Sequence, residues 1–418
     1  MHLNYSQSKL RRISKTTAEL LIIPAFFFLP IQAAPVNTLL VLAMLFWTLS
    51  GNLSQQLTQA LKHPLSKAFV FFAFTAFISL IWTDNLEQGL HFSEKYLPYL
   101  FFPVILLLIN TKFQTHYLAA FFLGIALSEI LSYSMWLGIT DMGKAPNDPN
   151  LWDHTAFIGH VLYSPIVAFA AYMMLSRLIL GWKELKTWQR ISLVLFSTTI
   201  IINLFFTHGR TGMVALLGLL FVVFLLRFPK AKFKAITLSL ALTTVIPLIA
   251  YSTLDDFKQR VDIGKDDITH LFENNNAETS LGHRLISWYA SIEIIKENPV
   301  LGVGIGDFAK EYEKIMSTQN VKYWSTSNPH NQYLFTFTTS GIIGLLSLVG
   351  IYLTIGYLTY QDYKTTPKNE LNPIKVGLLI LFLIIPLAES YLWRSNTSLL
   401  LILFSAFLFK KHFNENKI

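Results

Sequence analysis

Apolar residues run along this chain in long blocks separated by short polar gaps. The blocks fall at about 18–34, 37–50, 66–82, 97–110, 116–138, 156–180, 191–207, 211–227, 233–251, 332–359, 374–388 and 396–409. Most approach or exceed the ~20 residues that carry a helix across a bilayer, and the shorter blocks at 37–50, 97–110, 374–388 and 396–409 have soft edges. The pattern predicts an all-α polytopic integral membrane protein with about 12 transmembrane helices. One polar stretch, 252–331, is far longer than the others. Within it Leu285, Trp288, Tyr289, Ile292 and Ile295 recur at helical spacing, which predicts an amphipathic helix ended by Asn298 and Pro299. The chain then divides into nine spans over 1–251, a helical loop subdomain over 252–331, and three spans with a terminal tail over 332–418. Long ordered loops usually carry function.

Composition agrees. Of 418 residues 53% are hydrophobic and 14% charged, more apolar surface than a water-soluble fold of this size can bury. The net charge of +8 raises nucleic acid as a partner, but its distribution points elsewhere. Lys9, Arg11, Arg12 and Lys15 precede the first block; Lys62, Lys112, Arg177, Lys183, Arg227, Lys230, Lys364, Lys368 and Lys410 fall in alternate gaps. The intervening gaps are acidic or sparse, with Asp84, Glu87 and Glu94, then Asp141, Asp148 and Asp153, then Glu389 beside Arg394. The long loop holds 8 Lys/Arg against 12 Asp/Glu. By the positive-inside rule both termini are expected in the cytoplasm and the long loop outside. The basic charge is thus a topology signal, and no nucleic-acid partner is expected. Met1–Lys15 lacks a signal-peptide cleavage pattern, so the first block reads as a retained anchor. No cysteine is present, which excludes disulfides and thiolate chemistry.

Three stretches on the predicted outer side carry candidate chemistry: His208 and Arg210 in FFTHGRTG, His283 and Arg284 in LGHRLISW, and His330 and Asn331 in TSNPHNQY. Blocks eight and ten both run inward, so both turn a helix N-terminus, with its unpaired N–H groups and positive dipole, to the outer face. Ser327 or Asn328 is expected to cap the tenth block, with Pro329 at the first helical position and His330 in the first turn, where the dipole favours the neutral imidazole a general base needs. Arg394 stands in another outer gap. The plainer readings are a helix cap for the Pro-His pair and interfacial anchors for the arginines. Gly302, Gly304 and Gly306 lack the strand and spacing of a dinucleotide fingerprint and read as a turn. Asp84, Asp153, His154, His160 and His208 are too scattered to predict a metal site, and Glu129 is a single acid inside the fifth block.

The segments HGRTGMVALL, GHRLISWYASIEIIKENPVLGVGIGDF and SNPHNQYLFTFTTSGIIGLL resemble the O-antigen ligase/polymerase superfamily of bacterial membrane glycosyltransferases. The resemblance implies a glycosyltransferase-C-like membrane fold whose large periplasmic helical loop lies between spans 9 and 10, in the bacterial inner membrane. It implies transfer of a glycan from undecaprenyl pyrophosphate to a hydroxyl at the periplasmic face, with no cofactor and no metal. Lipid A-core is the acceptor of ligases, another glycan chain that of polymerases, and protein Ser or Thr that of oligosaccharyltransferases. Moderate length and one dominant outer loop favour a ligase over the protein transferases. Carried over by motif, Arg210 and Arg284 hold the pyrophosphate and His330 deprotonates the acceptor, while His208, His283, Asn331 and Arg394 are secondary candidates. Direct displacement at the anomeric carbon would invert its configuration, and a lateral groove between membrane helices is expected for the lipid tail. A flippase or transporter of lipid-linked sugars is the competing class; it would concentrate ionisable groups near the midplane.

Overall fold

A computed structural model describes residues 2–142, 153–207, 209–253 and 255–413. The first part of the chain forms α1 (His2–Phe28), α2 (Ala33–Thr48), α3 (Leu53–Leu61), α4 (Pro64–Ile78), α5 (Leu86–Ser93), α6 (Leu97–Leu100), α7 (Phe102–Leu108) and α8 (Gln114–Trp136). There follow α9 (His160–Leu180), α10 (Thr187–Phe206), α11 (Arg210–Arg227) and α12 (Lys232–Thr253). The long loop contains α13 (Asp255–Asn274), α14 (Ser280–Glu297) and α15 (Phe308–Met316), and α16 (Gln332–Thr365), α17 (Asn372–Ile384) and α18 (Ser395–Phe409) complete the fold. Among the described residues seven helical stretches are long and apolar enough to cross a membrane, and two more are apolar but shorter. The protein is an all-helical polytopic membrane protein.

Loop contacts sort into two ends. At one, the Asp84 and Asn85 N–H groups donate to Asp307 at 2.7 and 2.8 Å, the Tyr391 hydroxyl donates to Val161 O at 2.8 Å, and Leu392 N–H donates to Gln332 Oε1 at 2.9 Å. At the other, Arg177 pairs with Glu370 at 2.7 Å and Lys410 donates to Leu106 O at 3.0 Å. Asp362 of α16 is fully buried there against Lys375 of α17, Lys411 at 2.6 Å and His412 at 2.8 Å. Breaking one arm of such a buried cluster strands a charge at a cost of about 3–5 kcal/mol, so it fixes the three last helices to one another. The basic gap residues Arg177, Lys375, Lys410 and Lys411 thus gather at the end opposite the long loop.

Three expectations change. Residues 97–110 form the two short helices α6 and α7 rather than one continuous helix; Pro98 and Pro103 cannot donate into a continuous helical ladder. The block begun at 332 is broken at Gly341, whose φ of 63° lies outside the helix. The apolar positions Tyr289 and Ile292 of α14 are exposed, and the helix buries Ile286, Ala290 and Ile294 with the small Gly282, Ser287 and Ser291 instead. Small residues let α14 approach its neighbours closely, leaving the larger side chains facing outward.

The break in α16 is splinted by the turn 299–304. Val303 N–H donates to Thr338 O at 2.8 Å, Gly304 N–H to Thr339 O at 3.0 Å, and Ile342 N–H to Pro299 O at 3.0 Å. Each bond restores a partner that the interrupted ladder leaves free, worth about 0.5–1.5 kcal/mol apiece. The NPVLGVG segment is therefore a clamp on a broken helix. A Cβ on Gly341 would stand 2.0 Å from Val300 O, in a backbone conformation L residues avoid. Gly341→Ala is expected to lower the detergent-solubilised melting temperature, equivalent to roughly 1–3 kcal/mol; an unchanged melting curve would show that the clamp carries no strain.

Candidate functional site

His330 is placed by the short polar run before α16. Asn331, not Ser327 or Asn328, caps the helix: its Oδ1 accepts from the Tyr333 and Leu334 N–H groups at 3.0 and 3.1 Å. Pro329 and His330 therefore precede the helix rather than opening it. Asn328 Oδ1 accepts the His330 N–H at 2.9 Å, and His330 takes a left-handed φ of 49°. That conformation is uncommon outside glycine, although His is among the residues enriched in it, and it turns the imidazole out of the helical path. The helix dipole expected at His330 is also reduced, since the break at Gly341 leaves a short segment, 332–340, behind this terminus.

The orienting group is a carboxylate. His330 Nδ1 stands 2.8 Å from Glu389 Oε2, and Glu389 is 4% exposed. Burial pushes the Glu389 carboxyl up, but the His330 hydrogen bond and charge, the Arg394 charge and the Ser390 N–H outweigh it and hold the group at about 2. An ionised carboxylate accepts only, so Nδ1 carries the hydrogen and Nε2 is left with its lone pair in the neutral ring. The His330 side chain is 23% exposed, so that edge is reachable. The 387–394 loop is knitted to the 328–332 run, with Asn331 Nδ2 donating to Leu387 O at 3.3 Å.

α14 supplies the facing wall. Trp288 Nε1 donates to Pro329 O at 3.0 Å, and the His283 ring lies 5.4 Å from that of His330. Burial, with the His330 and Arg284 charges adding to it, lowers the His283 pKa to about 4, so it is neutral at pH 7. Arg284 reaches Ser280 Oγ at 3.3 Å, while its Nε is buried without a partner. Arg394 pairs with Glu389 at 3.5 Å, lies 5.1 Å from the centre of the Trp393 ring, and likewise keeps a buried Nε unpartnered.

Arg210 is the first residue of α11 and exposed. Gly209 before it admits no side chain, because a Cβ there would meet the Ser164 Cβ at 2.0 Å; α11 begins against the first turns of α9 for that reason. Thr211 lies within hydrogen-bonding reach of the Tyr391 hydroxyl, which also feels the charges of Glu389, Arg284 and Arg394. Tyr391 is buried, and its hydroxyl donates to Val161 O at 2.8 Å. His208 lies outside the described residues, as does Asp148. Asp84 pairs with Lys310 at 2.6 Å and Asp153 with His160 at 2.9 Å. Among the described residues no three His, Cys, Asp or Glu side chains gather as a metal site. Glu129 is buried in α8, near the Ser132–Asn203–Tyr163 hydrogen-bond chain.

Comparison with known proteins matches this same region. The family described as O-Antigen ligase matches residues 191–349, from α10 into α16, and so takes in Arg210, Arg284 and His330. Over this segment the chain is similar to the O-antigen ligase family. An O-antigen ligase of Salmonella typhimurium is 26% identical over 185 residues, covering 43% of this chain and 43% of that protein. A protein of Haemophilus influenzae described as uncharacterized is 31% identical over 155 residues, covering 36% of this chain and 39% of its own length. The chain therefore spans about two fifths of the length of these relatives. Glu389 and Arg394 lie beyond the O-antigen ligase match. Sequence reasoning noted Glu389 as an outer acid without linking it to His330; the available signal was a carboxylate and an arginine sharing a short gap in a chain poor in outer charge.

Proposed function

We propose that this protein is a member of the O-antigen ligase family and a glycosyltransferase that moves a glycan from undecaprenyl pyrophosphate to a hydroxyl of lipid A-core. The observation that carries the reading is the His330–Glu389 pair set against His283 of α14, next in sequence to Arg284. It combines a base oriented by a carboxylate with the Arg284 guanidinium, whose unpartnered Nε–H suits a phosphate oxygen. Nε2 of His330 takes the acceptor proton, the hydroxyl oxygen attacks the anomeric carbon, and the pyrophosphate leaves toward Arg210 and Arg284. The configuration inverts. Membership of the family points to ligase- or polymerase-type transfer; the lipid A-core acceptor is the finer proposal.

In this reading the chain crosses the bacterial inner membrane twelve times with both termini in the cytoplasm, and the site opens to the periplasm. The clustering of Arg177, Lys375, Lys410 and Lys411 at the end away from His330 supports that orientation. A groove of about 500 Å³, lined by Leu40, Val41, Leu45, Leu97, Phe101 and Ile105, fits a polyprenyl chain arriving from the bilayer.

The test is reconstitution of the purified protein in vesicles with a polyprenyl-pyrophosphate glycan, offered lipid A-core, free glycan or an acceptor protein in turn. Product on lipid A-core, undiminished by EDTA, is expected. Product on glycan or protein alone would move the enzyme to the polymerase or oligosaccharyltransferase class. Translocation of the donor without transfer would make it a flippase.

A further inference from the structure

Backbone and neutral side-chain hydrogen bonds fix the loop that carries Glu389. Asn331 Nδ2 donates to Leu387 O at 3.3 Å, and Leu392 N–H donates to Gln332 Oε1 at 2.9 Å. The Tyr99 hydroxyl donates to Leu392 O at 2.7 Å and the Tyr391 hydroxyl to Val161 O at 2.8 Å. Arg394 stands at the N-cap of α18 without a side-chain capping bond, and its carbonyl oxygen accepts the Ser398 N–H at 3.0 Å and the Thr397 hydroxyl at 3.1 Å. The backbone of 387–394 therefore has its partners, and the Arg394 guanidinium takes no part in holding it.

That guanidinium goes to Glu389. Arg394 Nη2 stands 3.5 Å from Glu389 Oε1, and among the described residues Arg394 pairs with no other carboxylate. The two oxygens of Glu389 are thereby divided. Oε1 faces Arg394 and accepts the Ser390 N–H at 2.9 Å, while Oε2 meets His330 Nδ1 at 2.8 Å. A carboxylate rotates broadly about its last torsion, so a partner on each oxygen is what defines its plane. Arg394 lies 5.1 Å from the centre of the Trp393 ring, which packs edge-on against Phe92 at 4.8 Å, so the cation is itself backed by packed rings. Glu389 is 4% exposed. Burial works against its charge, and the Arg394 charge is among the groups that counter it. A carboxylate that deep is costly without a cation beside it, and with His330 neutral Arg394 is the cation paired with it.

We infer that Arg394 is a positioning residue for glycan transfer: it holds Glu389 by Oε1 and so keeps Oε2 on the Nδ1 hydrogen of His330. The inference rests on the glycosyltransferase reading and adds a third group to the His330–Glu389 pair. In this role Arg394 touches neither donor nor acceptor and acts on the rate through the carboxylate. Two links set its effect, guanidinium to carboxylate and carboxylate to imidazole, and both are in place before a substrate arrives. The hold matters because the Nε2 lone pair has to lie along the hydroxyl that it deprotonates.

The test uses the intact protein in vesicles with a polyprenyl-pyrophosphate glycan and the acceptor on which the wild-type protein forms product, reading kcat and both KM values. Arg394→Gln is expected to lose about 10- to 100-fold in kcat, with each KM changed less than about threefold. Arg394→Lys keeps a cation beside Oε1 and should regain most of that loss. In a Glu389→Gln background, where no charge remains to be held, adding Arg394→Gln should cost less than about twofold. A role in folding alone would subtract the same factor in both backgrounds. Wild-type kcat in Arg394→Gln, an equal loss in both backgrounds, or a raised KM at unchanged kcat each overturns the inference alone, the last by making Arg394 a substrate contact. No transfer by the wild-type protein to any acceptor overturns the glycosyltransferase reading and this inference with it.

Discussion

His330→Ala is expected to reduce glycan transfer by about 10²- to 10⁴-fold in kcat while leaving membrane insertion and helical content unchanged. The side chain makes one strong contact, to Glu389, and its backbone bond to Asn328 survives the substitution. Alanine also has little reason to tolerate the left-handed φ of 49° at this position, so a small stability loss of about 1 kcal/mol accompanies the catalytic one. The two effects separate in measurement: the melting temperature reports the strain and single-turnover transfer reports the base. Glu389→Gln keeps an acceptor for Nδ1 but removes the charge that stabilises the developing imidazolium, so its loss should be smaller than that of His330→Ala and additive with it only in part. Transfer by His330→Ala at the wild-type rate would remove the base assignment. Loss in His330→Ala with full activity in Glu389→Ala would leave the base and remove its orienting carboxylate.

Much of the architecture is legible because lipid imposes simple rules. Apolar length marks the long helices, and the basic gap residues Arg177, Lys375, Lys410 and Lys411 fall at one end of the molecule. The end of α14 was readable, since Asn298 with Pro299 stops it, while its Thr279 cap shows only in the structure. Its buried face was not. An apolar stripe is expected to face the core, but here Tyr289 and Ile292 stay exposed and the small side chains make the close contact.

The site was legible as residues and not as geometry. Ser325, Thr326, Ser327, Asn328 and Asn331 are all capable caps, and local sequence does not rank them. Asn331 takes the place because it also bonds to Leu387 O, and His330 can then turn out of the helix. Glu389 lies 59 residues from His330, a separation at which spacing carries no information. The break at Gly341 was hidden for a similar reason: glycine is common in membrane helices, and this one's partner is the turn 299–304 in another segment. Position along the chain found the groups; pairing across it shows which of them stand together.

Arg284→Ala is expected to cost about 10²- to 10³-fold in kcat/KM for the polyprenyl-pyrophosphate donor, with Arg210→Ala in the same range. A buried guanidinium N–H without a partner is uncommon in a folded protein, and Arg284 Nε is one. Its weak contact with Ser280 at 3.3 Å leaves most of the donor fork uncommitted, which suits a ligand that brings its own acceptors. The charge has to act late, as negative charge gathers on the leaving pyrophosphate, so most of the loss should appear in kcat rather than in donor KM. Lysine separates charge from shape: Arg284→Lys retains the cation but not the planar fork, and should recover no more than about a tenth of the wild-type rate. Arg210 is exposed at the start of α11, where the helix N–H groups already favour an anion, so Arg210→Lys should be the better tolerated of the two. Full recovery by both lysine variants would reduce the arginines to electrostatic attraction alone, and wild-type rates in both alanine variants would remove the pyrophosphate from this part of the molecule.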